Sequence, residues 1–163
     1  MGQLNLPNDS PVNVTYKVLI MRASSNFTKA IHICLFLNLK EGDLKSSTQL
    51  AESVDTNPVV VRRLVALLRN AGIVGSVAGV KGGFYLAIDP ASINLWTIYQ
   101  AVREEELFTR PKVNDNCDIS CNLELLVHDT FDAAEMSMRA ELEPVTIASL
   151  SSDLTEILAE ATT

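Results

Sequence analysis

Asn57 followed by Pro58 sits between two helix-forming segments, and this junction constrains the fold more than any other stretch of the chain. Proline holds the residue before it out of the helical region and has no amide hydrogen to lose in a first helical turn. An asparagine in front of it supplies a capping oxygen, so a helix has to start here. Upstream, Ser46 and Gln49 have the Ser-x-x-Gln spacing of a capping box, which starts another helix with Leu50, Ala51 and Val54 on its inner face. Only Asp55 and Thr56 remain to turn the chain between the two.

After Pro58, Val60 or Val61, Leu64, Leu67 and Leu68 fall on one helical stripe, leaving Val59, Arg62, Arg63, Ala66 and Arg69 toward the other side. Ala71 and Gly72 end the helix. Ile73 to Val77 and Gly83 to Ile88 then read as two strands, with Gly79, Gly82 and Gly83 around the tip allowing positive φ and close backbone approach. Lys81 is the only charge at that tip. Ser46 to Leu86 therefore has the form of a helix-turn-helix with a wing, which points to DNA.

A net charge of −7 over 163 residues looks wrong for such a partner until it is divided along the chain. Residues 21–90 hold eight Lys or Arg against five Asp or Glu, whereas residues 91–163 hold four against fourteen. The acid is segregated into the C-terminal half, as in a chain that separates a DNA-facing module from a solvent-facing arm. The 47% apolar content excludes a disordered or fibrous chain. No apolar run reaches the roughly 18 residues of a membrane span. No basic cluster precedes an apolar run near the N-terminus, so a signal peptide is not indicated and a cytoplasmic setting is expected.

The flanking segments complete a mainly α chain with one small β-hairpin. Residues 1–20, with Pro7, Pro11 and the partly alternating VNVTYKVLI, are expected to be a poorly ordered leader, with Met21 as a candidate start. A first helix begins after Ser24 and Ser25 and is apolar on most sides, which predicts burial against its own core and a partner subunit. Asn94 caps a helix LWTIYQAV. Leu107 to Cys121 has loop composition, and Leu123 to Leu142 is a twenty-residue helix, roughly 30 Å long. Its apolar line through Leu123, Val127, Phe131, Ala134 and Met138 suits pairing with another chain. Pro144 stops it, and Thr146 caps a last helix with Ile147, Leu150, Leu154 and Leu158 as its stripe. The expected organisation is a leader (1–20), a winged helix-turn-helix domain (21–104), an effector and cysteine loop (105–122) and dimerisation helices (123–163).

The stretches MRASSNFTKAIHICLFL, TNPVVVRRLVALLRNAGIV, GVKGGFYLA and INLWTIYQAV resemble the Rrf-two family of bacterial winged-helix transcription regulators, which includes iron-sulfur-cluster, nitric-oxide and cysteine-metabolism repressors. The resemblance runs from Met21 to about Leu150. It implies a homodimer, held by the first helix and a long C-terminal helix, on a palindromic double-stranded DNA operator. It assigns Thr56, Asn57, Val59, Arg62 and Arg63 to the major groove. Ser46, Ser47 and Thr48 become phosphate contacts, and Lys81 and Gly82 act from the wing. Ala78 departs from the pattern, because family wings often carry an arginine near it, and this weakens insertion into the minor groove.

By the same resemblance, Cys117 stands where cluster-binding members place a first cysteine ligand, but Leu123 and Asp129 occupy the positions of the next two. No cofactor is expected. Cys117 and Cys121 are instead candidate redox or effector residues, their four-residue separation allowing a local disulfide if the loop bends, or one between subunits. Asp115 and Asp118 oppose a lowered thiol pKa. Cys121 and His128 leave only an irregular Cys-x3-Cys-x6-His set, so no metal site is assigned. Cys34 reads as a small core residue, His32 as a core or interface histidine, and Trp96 and Tyr99 as packing residues. No nucleophile–base pair, phosphate loop or paired-carboxylate site stands out, so the chain is read as a non-enzymatic regulator. The alternatives are a winged helix used only for protein interaction and, last, a thiol oxidoreductase, which would lack the Cys-x-x-Cys spacing.

Overall fold

The computed structural model describes residues 25–39, 44–79, 81–104, 106–108 and 113–161. The expected leader, Met21, Ser24 and residues 109–112 of the expected loop lie outside them. The order is α1 (Ser25–Leu39), α2 (Ser47–Val54), α3 (Pro58–Asn70), β1 (Val74–Val77), β2 (Gly83–Leu86), a 3-10 turn (Pro90–Ser92), α4 (Leu95–Val102), α5 (Asp118–Leu142) and α6 (Ile147–Glu160). This is a mainly helical chain with a two-stranded antiparallel hairpin, as the sequence predicts.

Local chemistry sets the boundaries. Ser46 Oγ accepts from Gln49 N at 3.2 Å while Gln49 Oε1 accepts from Ser46 N at 2.9 Å, which completes the capping box. Asp55 takes a left-handed conformation at φ 53° and ends α2. Asn57 Oδ1 then accepts from Val59 N at 2.8 Å, with Pro58 in the first turn of α3. Gly72, at φ 73°, reverses the chain after α3. This lets Ile73 N reach Leu68 O at 3.0 Å and buries the Ile73 side chain completely. Ile73 is therefore an anchor before the hairpin and not its first strand residue.

The hairpin rests on a contact that periodicity does not reveal. Lys45, just before α2, forms a backbone bridge with Phe84, donating at 3.1 Å and accepting at 2.9 Å. A Cβ at Gly83 would lie 2.9 Å from Lys45 N and O, so glycine is needed there for close approach. Gly79, at φ 115°, supplies the turn conformation instead.

Buried core residues come from α1, α2, α3, the start of β1, α4 and α6, whereas α5 contributes only Leu142. Ala30, Ile33 and Cys34 of α1 pack with Leu50 of α2, Val61, Leu64, Val65 and Leu68 of α3, and Ile98 and Val102 of α4. Each of the larger side chains contributes about 1.5–3 kcal/mol when fully removed from water. Phe27, Tyr99 and Trp96 continue this packing as a row of ring contacts at 5.5 and 5.4 Å. His32 is not a core residue: it is exposed, with Nε2 2.9 Å from Ser53 Oγ on α2.

The second covering of the greasy first helix comes from the same chain. α6 folds back onto α1, where Asn38 Nδ2 donates to Ser151 Oγ at 2.7 Å. A backbone bridge between Asn94 and Thr146 fixes its start, with Ile147 N donating to Ile93 O at 2.8 Å and Leu95 N to Val145 O at 2.9 Å. Ile93 and Ile147 are both fully buried. The expected unit 123–163 thus divides: α6 belongs with the winged-helix core, whereas α5 leaves it. Of the 25 residues of α5 only Leu142 is buried, and Ile119, Leu125, Leu126 and Met136 are 70–79% exposed.

Candidate nucleic-acid interface

The candidate recognition surface expected from the sequence is the outer side of α3. Burial of Val61, Leu64, Val65 and Leu68 fixes the helix about its axis and turns Val59, Arg62, Arg63, Ala66, Arg69 and Asn70 outward. Val59 is 62% exposed, a large apolar side chain presented to solvent in the first helical turn. Arg62 is exposed and its side chain makes no hydrogen bond or ion pair among the described residues, leaving its guanidinium free to take an anionic or base partner. Arg69 lies on the same helical row, seven residues later; it was absent from the sequence-derived site although its spacing from Arg62 would have revealed it.

The turn before α3 is held by its own polar groups. Thr56 N donates to Ala51 O at 3.0 Å, and Asn57 commits its carbonyl oxygen to the cap. The Asn57 amide nitrogen, with two donors, is the part of that side chain left for a ligand. Ser46 is likewise committed as a cap, so Ser47 and Thr48 are the freer hydroxyls at the start of α2. On the wing, Lys81 is exposed and Gly82 is half-buried, its amide donating to Gly79 O at 3.0 Å.

Arg63 behaves differently from its neighbour. Its Nη1 lies 2.9 Å from Glu104 Oε1 and its Nη2 donates to Asn26 Oδ1 at 3.2 Å. Sequence reasoning missed both partners, since they lie on other elements and neither belongs to a motif.

The cysteines do not share one loop. α5 begins at Asp118, five residues earlier than the composition suggests; Asp118 is an acid in its first turn, and Ser120 Oγ accepts from Asn114 N at 2.9 Å. Cys117 is the residue before the helix, and Cys121 N donates to Cys117 O at 3.0 Å. A bridge between the two thiols therefore cannot draw on a bent loop and has to deform a helical turn. Cys34 is buried in the core, and burial pushes its thiol up to about 12. For a cluster of the kind the resemblance implies, Leu123 and Asp129 bring no thiolate, and the described residues contain no group of three His, Cys, Asp or Glu that could hold a metal. The donor set does not fit such a cluster.

Comparison with known proteins agrees with this geometry. The Rrf2 family model, described as an iron-dependent transcriptional regulator, matches residues 23–153. A protein of Bacillus subtilis (strain 168) named as an HTH-type transcriptional regulator, YwnA, is 40% identical over 121 residues, covering 73% of this chain and 89% of its own. The crystal structure of a transcriptional regulator from Lactobacillus plantarum superposes with a TM-score of 0.67 at 28% identity, covering 80% of this chain and 89% of that one. CymR, the global cysteine regulator of B. subtilis, superposes with a TM-score of 0.56 at 25% identity, covering 80% and 96%. Among the described residues no helix is long and apolar enough to cross a membrane.

Proposed function

This chain belongs to the Rrf2 family of transcriptional regulators, and from that premise we propose that it is a sequence-specific DNA-binding repressor working as a homodimer in the cytoplasm. The observation that carries the reading is the outer face of α3, where exposed Val59 and Arg62 stand one turn apart beside a well-capped helix start. Inserted N-terminus first into a major groove, this face offers Val59 to a thymine methyl group and Arg62 to the O6 and N7 acceptors of guanine. Asn57 donates through its amide nitrogen to a base acceptor or a phosphate. Thr56 lies in the turn that aims the helix. Ser47 and Thr48, with the free first-turn amides of α2, receive a phosphate, and Ser46 serves them as the cap. Arg69, Lys81 and the Gly82 backbone extend the contact along the sugar-phosphate chain.

Dimerisation is supported by α5. A helix with four large apolar side chains at 70% exposure or more is poorly matched to water, and a second copy crossing it would cover them. A two-fold arrangement would present both α3 helices to a palindromic operator with half-sites about one helical turn apart. Six of the fourteen acids of residues 91–163 then lie along α5, on the arm and away from the phosphates.

Regulation is assigned to the segment before and at the start of α5. Cys121 is exposed and Cys117 half-buried, so an oxidant or a small electrophile reaches them without unfolding the core. No metal cluster takes part in this reading. A disulfide to the other subunit, or a thiol adduct, would act on the end of the helix that joins the two copies.

The test is a gel-shift titration against the promoter of the chain's own gene. Arg62→Ala is expected to weaken binding by about 5- to 150-fold, the worth of one bidentate base contact. The observed binding constant should fall steeply with salt. Binding insensitive to both salt and sequence would favour a protein-interaction module instead. For sensing, operator affinity is compared before and after oxidant in wild type and Cys117→Ser. Equal affinities in all four samples remove the redox role.

A further inference from the structure

Three side chains, from α1, α3 and the segment after α4, close a ring at the edge of α3. Arg63 reaches Glu104 Oε1 at 2.9 Å and Asn26 Oδ1 at 3.2 Å, and Asn26 Nδ2 donates to the same Glu104 Oε1 at 2.9 Å. Asn26 accepts with one end of its amide and donates with the other, so Arg63 donates to both partners and Glu104 Oε1 accepts from both. Beside Glu104, Arg103 Nη1 lies 3.6 Å from Glu135 Oε1 on α5. The two residues that follow α4 therefore reach in different directions, one to the recognition helix and one to the long helix.

We propose that Asn26 and Glu104 are positioning residues that hold Arg63 against α1 and cancel its charge, so that Arg63 is withheld from the DNA and reading by α3 depends on Arg62. The proposal rests on the DNA-binding reading given above. Adjacent residues on a helix point about 100° apart, so Arg62 and Arg63 lie on different flanks of α3 and have different neighbours. Of the two, only Arg63 has a carboxylate and an amide in reach among the described residues. An exposed pair of this kind adds little stability. Its consequence is electrostatic: one fewer cation meets the phosphates, and a shift of α5 transmitted through Arg103 would alter that number.

The measurement is the salt dependence of operator binding, whose logarithmic slope changes by about 0.9 for each phosphate that a protein cation neutralises or releases. Glu104→Gln should bind more tightly than wild type with a slope steeper by roughly that amount, and Arg63→Gln alone should leave the slope unchanged. The tighter binding should vanish in the double variant Arg63→Gln with Glu104→Gln. Tighter binding that persists in the double variant, or a shallower slope in Arg63→Gln alone, overturns the proposal while leaving DNA binding intact. Failure of every variant and wild type to bind overturns both readings. In the free protein, NMR of the Arg63 guanidinium gives a readout without DNA: restricted rotation in wild type that is released in Glu104→Gln is expected. Free rotation in both would refute the contact.

Discussion

Asn38 Nδ2 donates to Ser151 Oγ at 2.7 Å, joining the first and last described helices across 113 residues of sequence. Ser151 is buried and its hydroxyl in turn donates to Ile147 O at 2.8 Å, so this polar pair is satisfied within an apolar seam. The final helix is thus a structural member of the winged-helix unit. Ile147→Ala should lower unfolding stability by about 2–5 kcal/mol, the usual cost of emptying a fully buried isoleucine site. Urea denaturation checks this. A loss below 1 kcal/mol, roughly the scale of a surface change, would show that α6 is dispensable.

Gly83 predicts a second loss, in the wing. Its missing Cβ makes room for the Lys45 backbone, and the obstruction is main chain, which cannot swing aside. Gly83→Ala is expected to destabilise by about 1–3 kcal/mol through overpacking and to release the Lys45–Phe84 bridge. Faster amide exchange at Phe84 N, relative to Ile73 N, would report the release.

Asn57 allows its capping role and its proposed recognition role to be separated. Asn57→Ala should cost about 1 kcal/mol by removing the oxygen that accepts from Val59 N. Asn57→Asp keeps that oxygen and brings a charge that favours a helix N-terminus, so its melting temperature should match or exceed wild type. Its operator affinity should nonetheless fall, because the aspartate has lost both donors and faces phosphate. Unchanged affinity in Asn57→Asp would remove this side chain from the interface.

The three thiols should react unequally. Burial raises the Cys34 thiol to about 12, far above the ordinary value of about 8.5, and only thiolates alkylate quickly. At about pH 8, mass spectrometry should find Cys117 and Cys121 labelled in the native protein and Cys34 labelled only in denaturant. Because the folded-state pKa is the higher one, the protonated thiol's contribution to stability is complete below about pH 8.5 and declines as pH rises toward 12. Equal labelling of all three residues would contradict this core assignment.

Much of the fold was legible because its signals are local. The Ser46–Gln49 box, the Asn57–Pro58 start, the Gly72 reversal and the Asn94 cap each act within four residues, and each lies where the sequence places it. The start of α5 was not legible, because Cys117 makes no side-chain cap and the stretch before it has loop composition. For the interface, the outward face of α3 followed from periodicity, whereas the capture of Arg63 did not. Arg62 and Arg63 are identical in type and adjacent, and no local rule tells them apart.

By itself, then, the sequence determined where most of the helices begin and end, which stripe of α3 is inside, and that acid is concentrated in the C-terminal half, since capping, periodicity and charge are properties of short windows. Only the tertiary structure decided that α6 covers α1, that Lys45 supports the wing, and that one arginine is tied down while its neighbour is free. Those outcomes depend on contacts between residues 37 to 113 positions apart, whose distances are set by how the helices pack and not by any stretch of chain.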